Sequence, residues 1–123
     1  MDITEPANLL NLYQLFRPNL SVAQLYDATR GVWKVNKQRA SRADLAFAVA
    51  GGKVVEVYNI HQWYPANSTP YVSGRQDQSD PKHGGDFEFT GTVAPTAIRS
   101  KYLGLSVKHL FGRGQNPIRY VNC

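Results

Sequence analysis

The chain has 123 residues, with 14 Lys and Arg against 9 Asp and Glu, three His, and a single Cys at its last position. That length fits one domain, and a content of 42% hydrophobic and 19% charged residues excludes an intrinsically disordered chain. No run approaches the ~20 apolar residues that cross a bilayer, and a lone Cys excludes an internal disulfide. Together with an acidic N-terminus unlike a secretory signal, these features predict a cytoplasmic protein of one domain, residues 1–123.

The beginning of the chain is predicted to form two helices. Apolar residues at helical spacing indicate an amphipathic helix over Pro6 to Phe16, within an N-terminal helical extension of residues 1–20. Ser21, followed three residues later by Gln24, is a capping-box pattern. This pattern predicts that a second helix, Val22 to Arg30, starts there.

The clearest local signal is a β-hairpin. Leu45 to Ala50 and Val54 to Ile60 are apolar runs on either side of Gly51-Gly52. The unbroken apolar run Ala46 to Ala50 indicates a strand that is buried on both faces of its sheet. Residues 61–85 then hold three Pro, three Gly and many polar residues, which predicts a long loop that is functional or mobile.

The remaining elements complete a small sheet with helices. In chain order they are a strand over Val32 to Val35, a short helix capped by Asn36 over Lys37 to Ala43, a strand around Phe87 to Val93, a helix starting at Pro95, a short strand over Leu105 to Val107, a helical turn over Lys108 to Phe111 and a final strand over Ile118 to Val121. This order differs from the regular strand–helix alternation of a doubly wound fold. It predicts an α+β fold, a small curved sheet or partly open β-barrel of five to six strands decorated by short helices.

The net charge of +5 is unevenly distributed. All nine acids lie at or before Glu88, and nine bases in the same part of the chain balance their charge. The remaining five bases follow Glu88, and no acid lies among them. Within the balanced part, residues 30–42 also contain five bases and no acid. Two acid-free basic stretches favour a polyphosphate partner, because each neutralised phosphate releases condensed counterions. The alternative is a solvated basic face that only aids solubility.

Two tryptophans and one arginine are candidates for contacts to a nucleobase. Trp33 and Trp63 both have polar or conformationally special neighbours, and an indole that stacks on a base contributes about 1–3 kcal/mol. Their alternative role is in the hydrophobic core. Arg30, close to Trp33 in sequence, either reaches a phosphate or base edge or pairs with Asp27, three residues earlier on the same helix.

Motifs for catalysis and metal binding are incomplete. The three His residues lack metal-ligand spacing, so we expect no metal site. His61 or His83 is a candidate general base without a nucleophile motif, and Asp77 and Asp80 belong to a carboxylate-rich part of the loop that either binds Mg²⁺ or is simply solvated. There is no P-loop or dinucleotide motif, and Gly112-Arg113-Gly114 is interpreted as a basic turn that contacts a backbone phosphate.

Three segments carry a family resemblance. Gly31-Val32-Trp33 resembles the Gly-(Val/Ile)-Trp at the start of EVE and YTH cores, the hairpin Leu45 to Ile60 resembles their central strands, and Phe87 to Gly91 resembles a later core strand. The chain thus resembles the PUA-like superfamily, which includes the ASCH, EVE, YTH and SRA domains. The resemblance implies a β-barrel that binds RNA or DNA, often with a modified or flipped base in an aromatic pocket containing Trp33.

A second similarity lies at the end of the chain. Small bacterial and phage proteins end in Asn-Pro-Ile-(Lys/Arg)-Tyr-Val-Asn, and residues 116–122 resemble this ending. That similarity implies no activity.

We expect a monomeric nucleic-acid-binding module for RNA or DNA that needs no cofactor. The expected contacts to phosphates and to a base, modified or not, come from Arg30, Trp33, Lys34, Lys37, Arg39, Arg42, Trp63 and Arg113. One alternative is a small nuclease or hydrolase of the ASCH type, metal-dependent or not. A second alternative is a protein-interaction domain in defence or phage systems.

Overall fold

The computed structural model describes residues 3–12, 19–31, 33–66, 68–70, 72, 86–111 and 116–123. In this part of the chain the elements are β1 (Ala7–Asn11), α1 (Val22–Arg30), α2 (Lys37–Ala40), β2 (Leu45–Ala50), β3 (Lys53–Pro65), β4 (Phe87–Val93), α3 (Thr96–Tyr102), α4 (Lys108–Phe111) and β5 (Ile118–Val121). The strands form one sheet in the order β4-β3-β2-β1-β5. Strands β1 and β2 are parallel and the other neighbours are antiparallel, so the predicted α+β class is confirmed.

Strand β2 lies in the middle of the sheet and is buried on both faces, as its unbroken apolar run predicts. Ala46 and Ala48 belong to one core cluster, whereas Phe47 and Val49 belong to another. Because successive side chains of a strand point to opposite faces, the two clusters cover opposite faces of the sheet. Helix α1 packs on the first cluster and α3 packs on the second.

Local hydrogen-bonding signals in the sequence are realised in the fold. The backbone N–H of Gln24 donates to Ser21 Oγ at 3.1 Å, and the Gln24 side chain accepts from the Ser21 backbone at 2.8 Å, which completes the predicted capping box. Gly51 and Gly52 adopt φ values of 60° and 77°, which glycine tolerates and other residues rarely do. The structure also confirms five further predicted elements, namely the hairpin, strand β4, the helix after Pro95, α4 and β5.

The predicted N-terminal helix is wrong where the structure describes it. Residues Ala7–Asn11 form strand β1 between β2 and β5, and four of the five are buried. The short apolar run fits either a helix or a strand by periodicity alone. Pairing with strands much later in the sequence selects the strand. Residues 13–16 of the predicted helix lie outside the described part.

Three further elements differ from the prediction. Strand β3 continues to Pro65, so residues 61–65 belong to the sheet, paired with β4. Trp33 makes a single β-bridge to Phe87 in place of the predicted strand, and Ser106 makes a single bridge to Lys53. Both are short contacts with elements distant in sequence, which a local pattern does not reveal.

The sheet that the structure describes is open. Strands β4 and β5 lie at its two ends, and among the described residues they do not pair with each other. The coarse architecture is therefore a five-stranded mixed sheet with short helices, without closure into a barrel in the described ranges. None of the helices in these ranges is long and apolar enough to cross a membrane.

Candidate functional site

Four cations lie on and around the single helical turn of α2. The side chain of Asn36 caps this turn by accepting a hydrogen bond from the Arg39 backbone N–H at 3.2 Å. A helix of one turn covers little surface, so the basic side chains within and beside it stay exposed. We call this set the α2 basic segment, and it consists of Lys34, Lys37, Arg39 and Arg42.

Three members of the α2 basic segment have no side-chain partner in the part of the chain that the structure describes. Lys34, Lys37 and Arg42 are exposed and make no hydrogen bond or ion pair within the described ranges. The first acid that follows, Asp44, forms no salt bridge there either. These cations are therefore available to an external anion.

The fourth member, Arg39, is held by the end of the chain. Its guanidinium lies over the Tyr120 ring at 4.5 Å and donates to the carbonyl oxygen of Cys123 at 3.1 Å. The Tyr120 hydroxyl accepts a hydrogen bond from the Asn36 backbone N–H at 2.7 Å. The end of β5 thus fixes the start of α2 and the direction of Arg39.

Three of the five cations of the C-terminal basic stretch have partners. Arg99 donates to both carboxylate oxygens of Glu56, at 2.8 and 3.1 Å, and Lys101 lies 3.4 Å from a Glu5 oxygen. The guanidinium of Arg119 donates to backbone carbonyls, among them that of Leu110 at 3.1 Å. Tertiary contacts therefore neutralise or fix most of the positive charge of this stretch. Lys108 is exposed, and Arg113 lies outside the described part.

A hydrogen bond from Tyr102 governs the ionisation of Glu5. The Tyr102 hydroxyl donates to Glu5 Oε1, and this bond is the main cause that lowers the pKa of Glu5 below its ordinary value of 4.5. Thr4 and Lys101 lower the pKa further, whereas burial opposes them. The N-terminal segment is thereby fastened to α3.

Arg30 is a buried structural cation in this fold. It is 2% exposed, and its Nε lies 3.4 Å from Asp27 Oδ1, so the ion pair weighed as the alternative role is present. Its Nη1 donates to Thr69 Oγ1 at 2.8 Å and to the Phe89 carbonyl at 3.1 Å. Glu88, also buried, accepts from the Thr69 backbone N–H at 2.7 Å. Arg30 therefore joins α1 to β4 and to the segment at residues 68–70, and it faces no solvent.

Both tryptophans lie in the first core cluster. Trp33 is 6% exposed and its Nε1 donates to the Thr29 carbonyl at 2.7 Å. Trp63 is 2% exposed and packs edge-on against Phe89, with ring centroids 5.1 Å apart. Base stacking needs an open ring face. The stacking predicted for these residues would therefore require the indoles to leave the core.

A small polar pocket lies beside the α2 basic segment. Its volume is about 260 Å³, and its lining includes Ser41, Asp44, His61, Gln62 and Trp63. The pairing of β3 with β4 shifts register between Ile60 and Gln62, so His61 is the extra residue of a β-bulge. Sequence reasoning missed this site, because only the bulge and the α2–β2 turn bring its side chains together.

Other predicted site residues receive no structural support as a group. Among the described residues, no cluster of three or more His, Cys, Asp or Glu side chains is placed to hold a metal ion. Asp77, Asp80, His83 and Arg113 lie outside the described residues. Within the described part, the predicted binding residues that are exposed are those of the α2 basic segment.

Comparisons with family models, with curated proteins and with solved structures gave no match to this chain. The geometry of the described residues is therefore the basis of the functional argument.

Proposed function

We propose that this protein is a nucleic-acid-binding module whose α2 basic segment contacts phosphates of RNA or DNA. One observation carries the proposal. Lys34, Lys37 and Arg42 are exposed and unpaired within the described ranges, whereas Arg99 and Lys101 pair with acids. Unpaired cations are the ones that exchange counterions for phosphates without losing an internal ion pair.

The expected interaction is electrostatic and of moderate strength. Each phosphate contact contributes about −0.9 to the slope of log Kobs against log salt for duplex DNA and about −0.7 for single strands. Arg39, already oriented by Tyr120 and Cys123, needs little ordering to bind a phosphate. A segment with four cations accordingly predicts a slope of about −3 on a single strand.

We also propose that the chain is related to the PUA-like superfamily and that its sheet forms a partly open barrel. We further propose that the protein is cytoplasmic. The supporting architecture is a mixed sheet with a central hairpin, a later strand β4 and short helices. An experimental structure that brings the edges of β4 and β5 together, directly or through another strand, supports the barrel. A flat sheet with both edges open to solvent contradicts it.

Binding of labelled oligonucleotides tests the proposal. We would measure fluorescence anisotropy with single-stranded RNA, single-stranded DNA and duplex DNA of about 12 nucleotides at about 50 mM salt. The triple variant Lys34→Ala, Lys37→Ala, Arg42→Ala is expected to lose at least tenfold in affinity. The different nucleic acids distinguish an RNA-binding from a DNA-binding role.

Lys53→Ala is the matched control for that experiment. Lys53 is exposed and unpaired within the described residues, but it follows the hairpin turn at the far end of β2 from α2. Six residues of strand separate the two sites by about 20 Å. Equal loss in the control and in the triple variant, or no binding of any oligonucleotide, contradicts the proposal.

A nuclease is the second candidate, favoured by the exposed His61 in the pocket beside the α2 basic segment. Imidazole titrates near neutral pH and serves as a general base in such reactions. Incubating labelled RNA and DNA with and without Mg²⁺ tests this role. Cleavage that disappears in His61→Ala supports it, and intact substrate contradicts it.

A further inference from the structure

The pocket beside the α2 basic segment has features of a site for a neutral, polar ligand. Ser41, in its lining, directly precedes Arg42, so the pocket wall continues into the α2 basic segment. Asp44 belongs to the same lining, and its side chain is exposed and unpaired within the described residues. A carboxylate repels a phosphate and accepts hydrogen bonds from N–H donors. The phosphate is therefore expected on the cations outside the pocket, and an N–H-bearing group inside it.

The other side chains of the lining complement the edge of a planar heterocycle. Gln62 offers one acceptor and two donors, and His61 and Ser41 add groups of both kinds. The bulge frees His61 from a cross-strand partner, and neither His61 nor Gln62 has a side-chain hydrogen bond within the described ranges. These groups are thus free to bond a ligand.

Trp63 supplies an independent observation. It contributes to the pocket lining, and its Nε1 is buried without a hydrogen-bond partner, the one such side-chain atom found among the described residues. A buried donor without an acceptor lowers stability. Because this atom is enclosed in the fold, a ligand acceptor would relieve that cost only if the indole turned its N–H toward the pocket.

The size of the pocket fits one base. At about 30 Å³ per water in the liquid, a volume of about 260 Å³ corresponds to about nine waters. A nucleobase has a similar number of non-hydrogen atoms, each of them smaller than the volume of one water, so the pocket is large enough for one base.

We propose that this pocket binds a single nucleobase that carries an exocyclic amino group, which donates to Asp44, while the α2 basic segment holds the neighbouring phosphates. The proposal rests on the nucleic-acid-binding function proposed above. It concerns a polar pocket at the bulge of β3 and differs from the aromatic pocket expected from the sequence.

Cytosine and uracil give the sharpest test, because cytosine has an amino group where uracil has a carbonyl. We would compare oligo(dC) and oligo(dU) of equal length, about 12 nucleotides, by fluorescence anisotropy at one salt concentration. Their equal charge makes the phosphate contribution cancel. The protein is expected to prefer oligo(dC) by at least about fivefold, the value of one good base contact.

Asp44→Ala is expected to abolish that preference, because it removes the side-chain oxygens that accept from the amino group. The Asp44 side chain makes no hydrogen bond within the described residues, so the variant keeps the internal contacts of the fold. Glu5→Gln removes one negative charge elsewhere and His109→Ala removes a histidine outside the pocket. Both controls are expected to retain the preference for oligo(dC).

The outcomes separate the two proposals. Salt-dependent binding of both oligonucleotides with equal affinity overturns the base pocket and leaves the phosphate contacts in place. A preference that survives in Asp44→Ala also overturns the base pocket. Binding of neither oligonucleotide overturns both proposals together.

Discussion

The two acid-free basic stretches of this chain differ in what surrounds their cations. Around α2, Lys34, Lys37 and Arg42 remain exposed and unpaired within the described residues. In the C-terminal stretch, Arg99 and Lys101 pair with Glu56 and Glu5, which lie far earlier in the sequence. The absence of neighbouring acids in the sequence therefore does not determine whether a cation is free. Tertiary pairing does, and it leaves Lys34, Lys37 and Arg42 without partners among the described residues.

Arg30, which belongs to the first basic stretch, differs from the exposed cations of that stretch because it is buried. It is four residues from Lys34 in sequence, yet it is 2% exposed and bonded to groups on α1, β4 and the segment at residues 68–70. Its charge stabilises the fold and does not contribute to the exposed surface. Burial thus separates Arg30, which has a structural role, from the neighbouring exposed cations, which are available to an external anion.

Replacing Arg30 is expected to have the largest effect on stability. Arg30→Ala leaves the buried carboxylate of Asp27 without this partner, and breaking a buried pair in this way costs about 3–5 kcal/mol. Urea denaturation of this variant and of Lys37→Ala measures the difference. Lys37→Ala is expected to stay within about 0.5 kcal/mol of the unmodified protein. A loss below 1 kcal/mol in Arg30→Ala would contradict a buried structural role.

Removing the acids that pair with Arg99 and Lys101 should make these cations available to phosphates as well. The double variant Glu5→Gln, Glu56→Gln removes the acids that pair with Lys101 and Arg99. We expect tighter oligonucleotide binding, with a salt slope steeper by up to about 0.9 for each freed cation that meets a phosphate. The same anisotropy titration measures it. Weaker binding than in the unmodified protein would show that these acids do not compete with phosphates.

The pair between Arg99 and Glu56 is expected to add little stability. Arg99 is 35% exposed, and partly exposed ion pairs contribute at most about 1 kcal/mol. Arg99→Ala should therefore unfold within about 1 kcal/mol of the unmodified protein and bind oligonucleotides with affinity unchanged within about twofold. A tenfold loss of affinity would place Arg99 on the binding surface and contradict the division between paired and available cations.

A smaller effect is expected on how the free energy of unfolding changes at acidic pH, where Glu5 becomes protonated. Because the folded pKa of Glu5 is below 4.5, its ionisation stabilises the fold at neutral pH. That contribution disappears as the pH falls from 4.5 through the lower folded pKa. Tyr102→Phe removes the main cause of the shift, so its stability should fall less steeply over this range. Chemical denaturation at a series of pH values below 5 checks this, and an unchanged slope would contradict the assigned cause.

Local signals predicted much of the fold because they depend on neighbours in sequence. The capping box at Ser21, the cap at Asn36 and the turn at Gly51-Gly52 all join residues within a few positions. The partners of β1 lie near residues 45 and 118, so nothing local distinguished a strand from a helix there.

The candidate site was predicted only in part, for the same reason. Charge counting identified Lys34, Lys37, Arg39 and Arg42, but it also selected Arg30, whose partners Thr69 and Phe89 lie 39 and 59 residues away. Trp33 and Trp63 were selected for their ring chemistry, whereas their burial depends on tertiary packing. The pocket at His61 depends on a bulge that the sequence does not mark.

The salt dependence of single-stranded oligonucleotide binding shows whether the α2 cations contact phosphates. We would plot log Kobs against log salt for the unmodified protein and for Lys34→Ala, Lys37→Ala, Arg42→Ala. If these cations contact phosphates, the slope should become shallower by about 2, since each lost contact removes about 0.7. Parallel lines with the same slope would contradict the assignment of α2 as the phosphate-binding surface.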